Sequence, residues 1–125
     1  MVSYRRILLK ISGEALKSDN NNIDPEMLKK VVTIVQSALD LGVEIAVVVG
    51  GGNIYRGAAL ASNGMNKITG DHIGMLATVM NALAISDTFE RNNIPSVVMS
   101  GFSINDKNCR AYADNDSTYL LWPSA

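Results

Sequence analysis

The most constraining feature of this chain is an apolar strand pattern that runs without a break into three glycines. Val43 to Val49 is rich in β-branched residues and is followed at once by Gly50-Gly51-Gly52-Asn53. Such a run suits a buried strand, and glycines let the backbone come close to whatever lies beyond it. The segment Arg56 to Asn63 can form a short helix. Loop and helix together then offer free backbone N–H groups and a helix N-terminus, an arrangement that receives anions. Two familiar phosphate loops are excluded. The G-x-G-x-x-G fingerprint fails because position 55 is Tyr, and the Walker A pattern fails because no Gly-Lys-Ser/Thr follows. A tight strand-to-helix turn with no ligand is the plain alternative.

The rest of the chain supplies a frame for that loop. Arg6 to Ile11 is a short, nearly continuous apolar run ending at Ser12-Gly13, and it reads as a first parallel strand covered on both faces. Asp24 can cap a helix, Pro25 fits its first turn, and Leu28, Val31, Val32, Val35, Ala38 and Leu39 recur at helical spacing before Gly42 stops it. Gly64 breaks the chain again. Asp71 is placed to cap a long helix reaching about Asn92, whose apolar residues cover more than one stripe and predict burial on more than one side, one of them against another subunit. Asn92-Asn93 makes a turn, and Ile94 to Met99 reads as a third strand closed by Ser100-Gly101. Residues 102–125 show no convincing period beyond a short apolar patch at Tyr119 to Trp122. The order βαβαβ implies an α/β fold, a mainly parallel sheet with right-handed crossovers, and ligands at the carboxyl ends of the strands.

That edge gathers Lys10, Ser12, Gly13, Gly51, Gly52 and Asn53, with Asp71 entering from beyond. Lys10 can carry its ammonium over the ligand edge and neutralise a transferring phosphoryl group, or it can turn to solvent as strand-end lysines commonly do. Arg56 has the planar fork of a bidentate phosphate contact, with a surface arginine as the equal alternative. For Asp71, hydrogen bonding to a ribose and capping the long helix are compatible roles.

Composition narrows the chemistry. Lys plus Arg number 11 against 12 Asp plus Glu, so no basic field for nucleic acid is present and phosphate recognition is local. His72 is the single histidine and Cys109 the single cysteine. Metal sites built from several histidines are thereby excluded, and so is an internal disulfide. His72 reads as a partly buried structural residue and Cys109 as a bystander. No secretory h-region opens the chain and no uninterrupted apolar run approaches the about 20 residues of a membrane span. The expectation is a soluble cytoplasmic protein.

Three blocks together resemble one family. They are Arg6-Ile7-Leu8-Leu9-Lys10-Ile11-Ser12-Gly13-Glu14-Ala15-Leu16, Val47-Val48-Val49-Gly50-Gly51-Gly52-Asn53-Ile54-Tyr55-Arg56-Gly57 and Gly70-Asp71-His72-Ile73-Gly74-Met75-Leu76-Ala77-Thr78-Val79-Met80-Asn81. The first two are similar to amino-acid kinases in general, and the third resembles the bacterial-type UMP kinases in particular. The resemblance implies a three-layer αβα sandwich that transfers the γ-phosphoryl group of ATP to UMP with Mg²⁺, giving UDP for pyrimidine nucleotide synthesis, in a homohexamer. It assigns Lys10 as catalytic. Lys10, Ser12, Gly13 and Gly52 match ATP-phosphate positions; Gly51, Gly52, Arg56 and Asp71 match UMP positions; no residue here matches a metal ligand.

The resemblance spans about residues 1–101, expected to be the nucleoside-monophosphate-binding part, and leaves 102–125 as a divergent segment. Family members continue with adenine- and metal-associated positions, so a partial kinase is expected. Their GTP-effector region tends to carry Arg and His where this chain has Ser86, Asp87 and Glu90. Two other readings stand beside this one: an amino-acid kinase acting on a carboxylate or carbamate, and a non-catalytic nucleotide-binding or assembly module.

Overall fold

The computed structural model describes residues 3–54, 64–100, 109–111 and 118–121. Strand β1 (Arg6–Ile11) leads into a 3-10 helix (Gly13–Leu16), helix α1 (Pro25–Asp40), strand β2 (Glu44–Val49), the long helix α2 (Lys67–Arg91) and strands β3 (Val97–Ser100), β4 (Cys109–Ala111) and β5 (Thr118–Leu121). The strands form one sheet in the order β1-β2-β5-β3-β4. β1 pairs parallel with β2 and β3 with β4, while β5 runs antiparallel to both β2 and β3. Four strands therefore share a direction and β5 alone opposes them, which makes an α/β fold with a mainly parallel sheet.

Local chemistry sets the helix ends. Asp24 caps α1 by accepting from the Glu26 amide at 2.7 Å, with Pro25 in the first turn. Gly42 ends it with φ +81°, a left-handed conformation that costs glycine little. At α2 the cap is Asn66, whose side chain already takes the Ile68 and Thr69 amides, so Asp71 lies inside the helix rather than at its start. Asn93, at φ +61°, plays glycine's part beyond the other end, and the Ile94 amide returns to the Phe89 carbonyl at 2.8 Å. That bond, with Pro95 behind it, holds Ile94 back from the sheet and delays β3 to Val97.

Hydrogen bonds from the Ser18 hydroxyl, the Glu26 amide and the Asn21 side chain hold the Asp24 carboxyl below its usual range. A depressed folded pKa means stability that is present above the unfolded value and lost as pH falls through the folded one. An Asp24→Asn chain is expected to be less stable than the parent at neutral pH, with the gap closing in urea titrations as pH is lowered through the acidic range.

The core lies on one face of the sheet. Ile45, Val47, Val49 and Val98 meet Leu28, Val31 and Val35 of α1 and Val79, Ala82, Ile85 and Phe89 of α2 in a single buried cluster, and the two helices also touch each other. The chain thus supplies a helical layer and a sheet layer of the three-layer arrangement. On β1, Ile7, Leu9 and Ile11 turn to the core, while Arg6, Leu8 and Lys10 are exposed. The sequence reading of β1 as covered on both faces is corrected: both helices pack on one face of the sheet, and among the described residues nothing covers the other.

α2 has 25 residues and an 18-residue window with mean hydropathy 1.2, enough by length and composition to cross a membrane. Here its apolar face joins the core and its Asn81 and Thr88 are buried within the fold. His72 is exposed on this helix, contrary to the partly buried position expected for it. The segment 102–125, to which the sequence assigned no element, contributes β4 and the interior strand β5.

Candidate functional site

The carboxyl ends of β1 and β2 converge. Ile11 is the register partner of Val49, and the Gly50 amide continues the ladder by donating to the Ile11 carbonyl at 3.0 Å. Two backbones then come together with no room for side chains. A Cβ on Gly13 would stand 2.6 Å from both Gly52 N and Asn53 Oδ1 and 3.0 Å from the Gly50 carbonyl. Gly51 is pressed against α2, where an added Cβ would meet Ala77 Cβ at 2.9 Å and the Gly74 carbonyl at 3.1 Å. Gly52 is less confined, its nearest neighbour being Glu14 at 3.8 Å.

The loop's hydrogen bonds are lopsided. The carbonyls of Gly50 and Gly51 are occupied, the first by Asn81 Nδ2 at 2.7 Å and the second by the Ile54 amide at 3.0 Å. The amides of Gly51, Gly52 and Asn53 donate to no group among the described residues. Three successive N–H groups with no partner among the described residues are donors of the kind that phosphate oxygens accept from.

Around this loop the predicted residues fall as follows. Ser12 caps the 3-10 helix, its hydroxyl accepting from the Glu14 amide, and Gly13 is buried beside it. Lys10 is exposed near the end of β1 on the face opposite the helices, and no ion pair among the described residues engages it. Asp71 is exposed on α2, three residues before Gly74 and so about one turn, or 5 Å, from the contact with Gly51. Its carboxylate pairs with Lys67 at 3.0 Å, an exposed i,i+4 pair too weak to withhold it from a ligand. Arg56 lies outside the described residues. The structure brings Ser12, Gly13 and the glycine loop into one contact, sets Asp71 along the adjoining helix, and leaves Lys10 at the same sheet end.

The sequence reading gives Asn81 no role and places Asn53 at the ligand edge without one. Asn53 and Asn81, 6% and 0% exposed, bond to each other through both side-chain amides. The available signal was an asparagine at position 81 amid the apolar Val79, Met80, Leu83 and Ile85, where an unpaired amide would be costly. Among the described residues no group of three or more His, Cys, Asp and Glu is placed to hold a metal ion.

The geometry can be set beside known proteins. A model of the amino acid kinase family matches residues 5–121. The chain belongs to that family. The match runs past residue 101, where the three sequence blocks give out, and takes in both β4 and β5. This amino acid kinase is 63% identical over 109 residues to the uridylate kinase of Ruthia magnifica, which covers 87% of the chain and 46% of that relative. It is 55% identical over 111 residues to the uridylate kinase of Vesicomyosocius okutanii, covering 89% and 47%. The chain spans about half the length of the curated relatives it matches. Among solved structures, the UMP kinase of Ureaplasma parvum superposes with a TM-score of 0.76 at 29% identity, over 90% of this chain and 48% of that one. The UMP kinase of Bacillus anthracis gives 0.74 at 33% identity, over 82% and 43%.

Proposed function

We propose that this amino acid kinase chain is the UMP-binding part of a UMP kinase, which transfers the γ-phosphoryl group of ATP to UMP and yields UDP for pyrimidine nucleotide synthesis. The observation that carries the reading is the row of amides at Gly51, Gly52 and Asn53 that have no partner among the described residues, in a chain 63% identical to a uridylate kinase. In the reaction a phosphate oxygen of UMP attacks the γ-phosphorus, and the bond from that phosphorus to the bridging oxygen of ADP breaks. Positioning and charge stabilisation do most of the work in such a transfer.

The loop amides and Arg56 hold the acceptor's phosphate, Asp71 accepts from its ribose, and Lys10 neutralises the transferring phosphoryl. Ser12, Gly13 and Gly52 border the donor's phosphates. Mg²⁺, when bound, supplies further neutralisation of the ATP phosphates. The described residues do not fit a metal site of their own, so none is given the task of holding it. Residues 1–101 carry the monophosphate site, and the setting is cytoplasmic.

The test is ATP-dependent conversion of UMP to UDP by the purified chain, with carbamate and glutamate as competing acceptors. Turnover with UMP alone, falling about 10²- to 10³-fold in Lys10→Ala, is the expected result for a complete site. UMP stabilisation without turnover identifies a binding part that needs further chain. Preference for carbamate or glutamate contradicts the assignment.

Assembly is part of the same reading, with a homohexamer as the expected form. Leu8, Ile68, Leu76 and Met80 are 64%, 65%, 53% and 53% exposed, and the last three lie on one helix, where a neighbouring subunit would cover them. Sedimentation velocity is expected to show a species several times 13.4 kDa; a monomer at all concentrations would contradict it.

A further inference from the structure

The buried Asn53–Asn81 pair decides which way the glycine loop presents its peptides. Each side-chain amide has two N–H donors and one acceptor oxygen. Asn81 Nδ2 donates to Asn53 Oδ1 and to the Gly50 carbonyl, both at 2.7 Å. Asn53 Nδ2 donates to Asn81 Oδ1 at 3.0 Å and to the Asn22 carbonyl at 2.8 Å. All four N–H groups are used. The outer partners are backbone carbonyls, which only accept, so turning either amide over would set oxygen against oxygen.

A peptide unit is planar, with its C=O and N–H pointing in opposite directions. Because the Gly50 carbonyl is drawn inward to Asn81, the N–H of Gly51 in the same peptide is directed away from Asn81. The Gly51 carbonyl, taken by Ile54, fixes the Gly52 N–H in the same manner. Asn53 ties the far end of the loop to Asn22, ahead of α1, and Asn81 belongs to the helix that carries Asp71. The pair therefore sets the direction of the Gly51 N–H and ties the loop to that helix.

We infer that Asn81, acting through Gly50 and Asn53, is a positioning residue for recognition of the substrate's phosphate. The inference rests on the UMP reading. Asn81→Asp keeps the side chain's shape, removes both Nδ2 donors and puts a carboxylate oxygen against the Gly50 carbonyl. Calorimetric titration with UMP and with uridine, which lacks the phosphate, separates positioning from general damage.

UMP affinity is expected to fall about tenfold or more in the variant, while uridine affinity changes less than about twofold. Equal losses for the two ligands, or none, overturn the inference and leave the UMP reading standing. A parent chain with no affinity for UMP overturns both. Where Asn81→Asp fails to fold, Asn81→Ser is titrated in its place, and exchange of the Asn81 side-chain amide protons is followed by NMR in the parent. Exchange much slower than at the exposed Asn20 and Asn93 is expected; equally fast exchange overturns the inference.

Discussion

A Gly13→Ala chain is expected to lose about 1–3 kcal/mol of stability, seen as a drop of roughly 5–15 °C in Tm, and to bind UMP at least about tenfold more weakly. The methyl group would sit 2.6 Å from Gly52 N and 3.0 Å from the Gly50 carbonyl, both backbone atoms, and 2.6 Å from Asn53 Oδ1, which is tied into the buried amide pair. None of the three can swing aside as the end of a flexible side chain could. The loop must move, and its amides move with it. Gly52→Ala is the control, because its added Cβ meets only Glu14, at 3.8 Å and beyond. Its stability is expected to stay within about 1 kcal/mol of the parent. Equal Tm losses for the two variants would contradict the close approach of the two loops.

The second large effect is in the core. Ile85 is 1% exposed on α2, within the cluster that joins both helices to the sheet. Truncation to Ala removes buried methyl groups and leaves a cavity, at a cost of about 2–5 kcal/mol. That is a large share of the about 5–15 kcal/mol that holds a domain together, so the Ile85→Ala chain is expected to be substantially unfolded at 37 °C by circular dichroism. Glu90, exposed on the same helix and apart from the apolar residues given to assembly, is expected to tolerate Ala with a change of about 0.5 kcal/mol. Similar losses at the two positions would mean that the buried face of α2 has been misassigned.

Much of the frame was legible because its determinants are local. The β-branched run into Gly50, the Asp24-Pro25 start and the Gly42 stop each act within a few residues of where they stand. What escaped was set by distant partners. β5 is four residues long and lies inside the sheet only because β2 and β3 flank it, a pairing that leaves no period in so short a stretch. Leu8 is exposed despite a sequence that reads as buried, because it points to the sheet face opposite the helices. Asn66 and Asp71 both have capping chemistry, and nothing within the segment itself says which one the helix will use.

The candidate site divides in the same way. Gly13, Gly51 and Gly52 could be named from the loop pattern, since glycine is informative wherever backbones meet. Asn81 could not be given a role, because its partners, the Gly50 carbonyl and the Asn53 side chain, lie 31 and 28 residues away.

The proposed seat of the UMP phosphate on the glycine-loop amides is tested most directly by titrating the ¹⁵N-labelled chain with UMP, and separately with uridine, while following backbone amide shifts. UMP is expected to move the Gly51, Gly52 and Asn53 resonances most, with uridine leaving them nearly in place. Shifts of equal size with both ligands, or three loop resonances unmoved at saturating UMP, would contradict it.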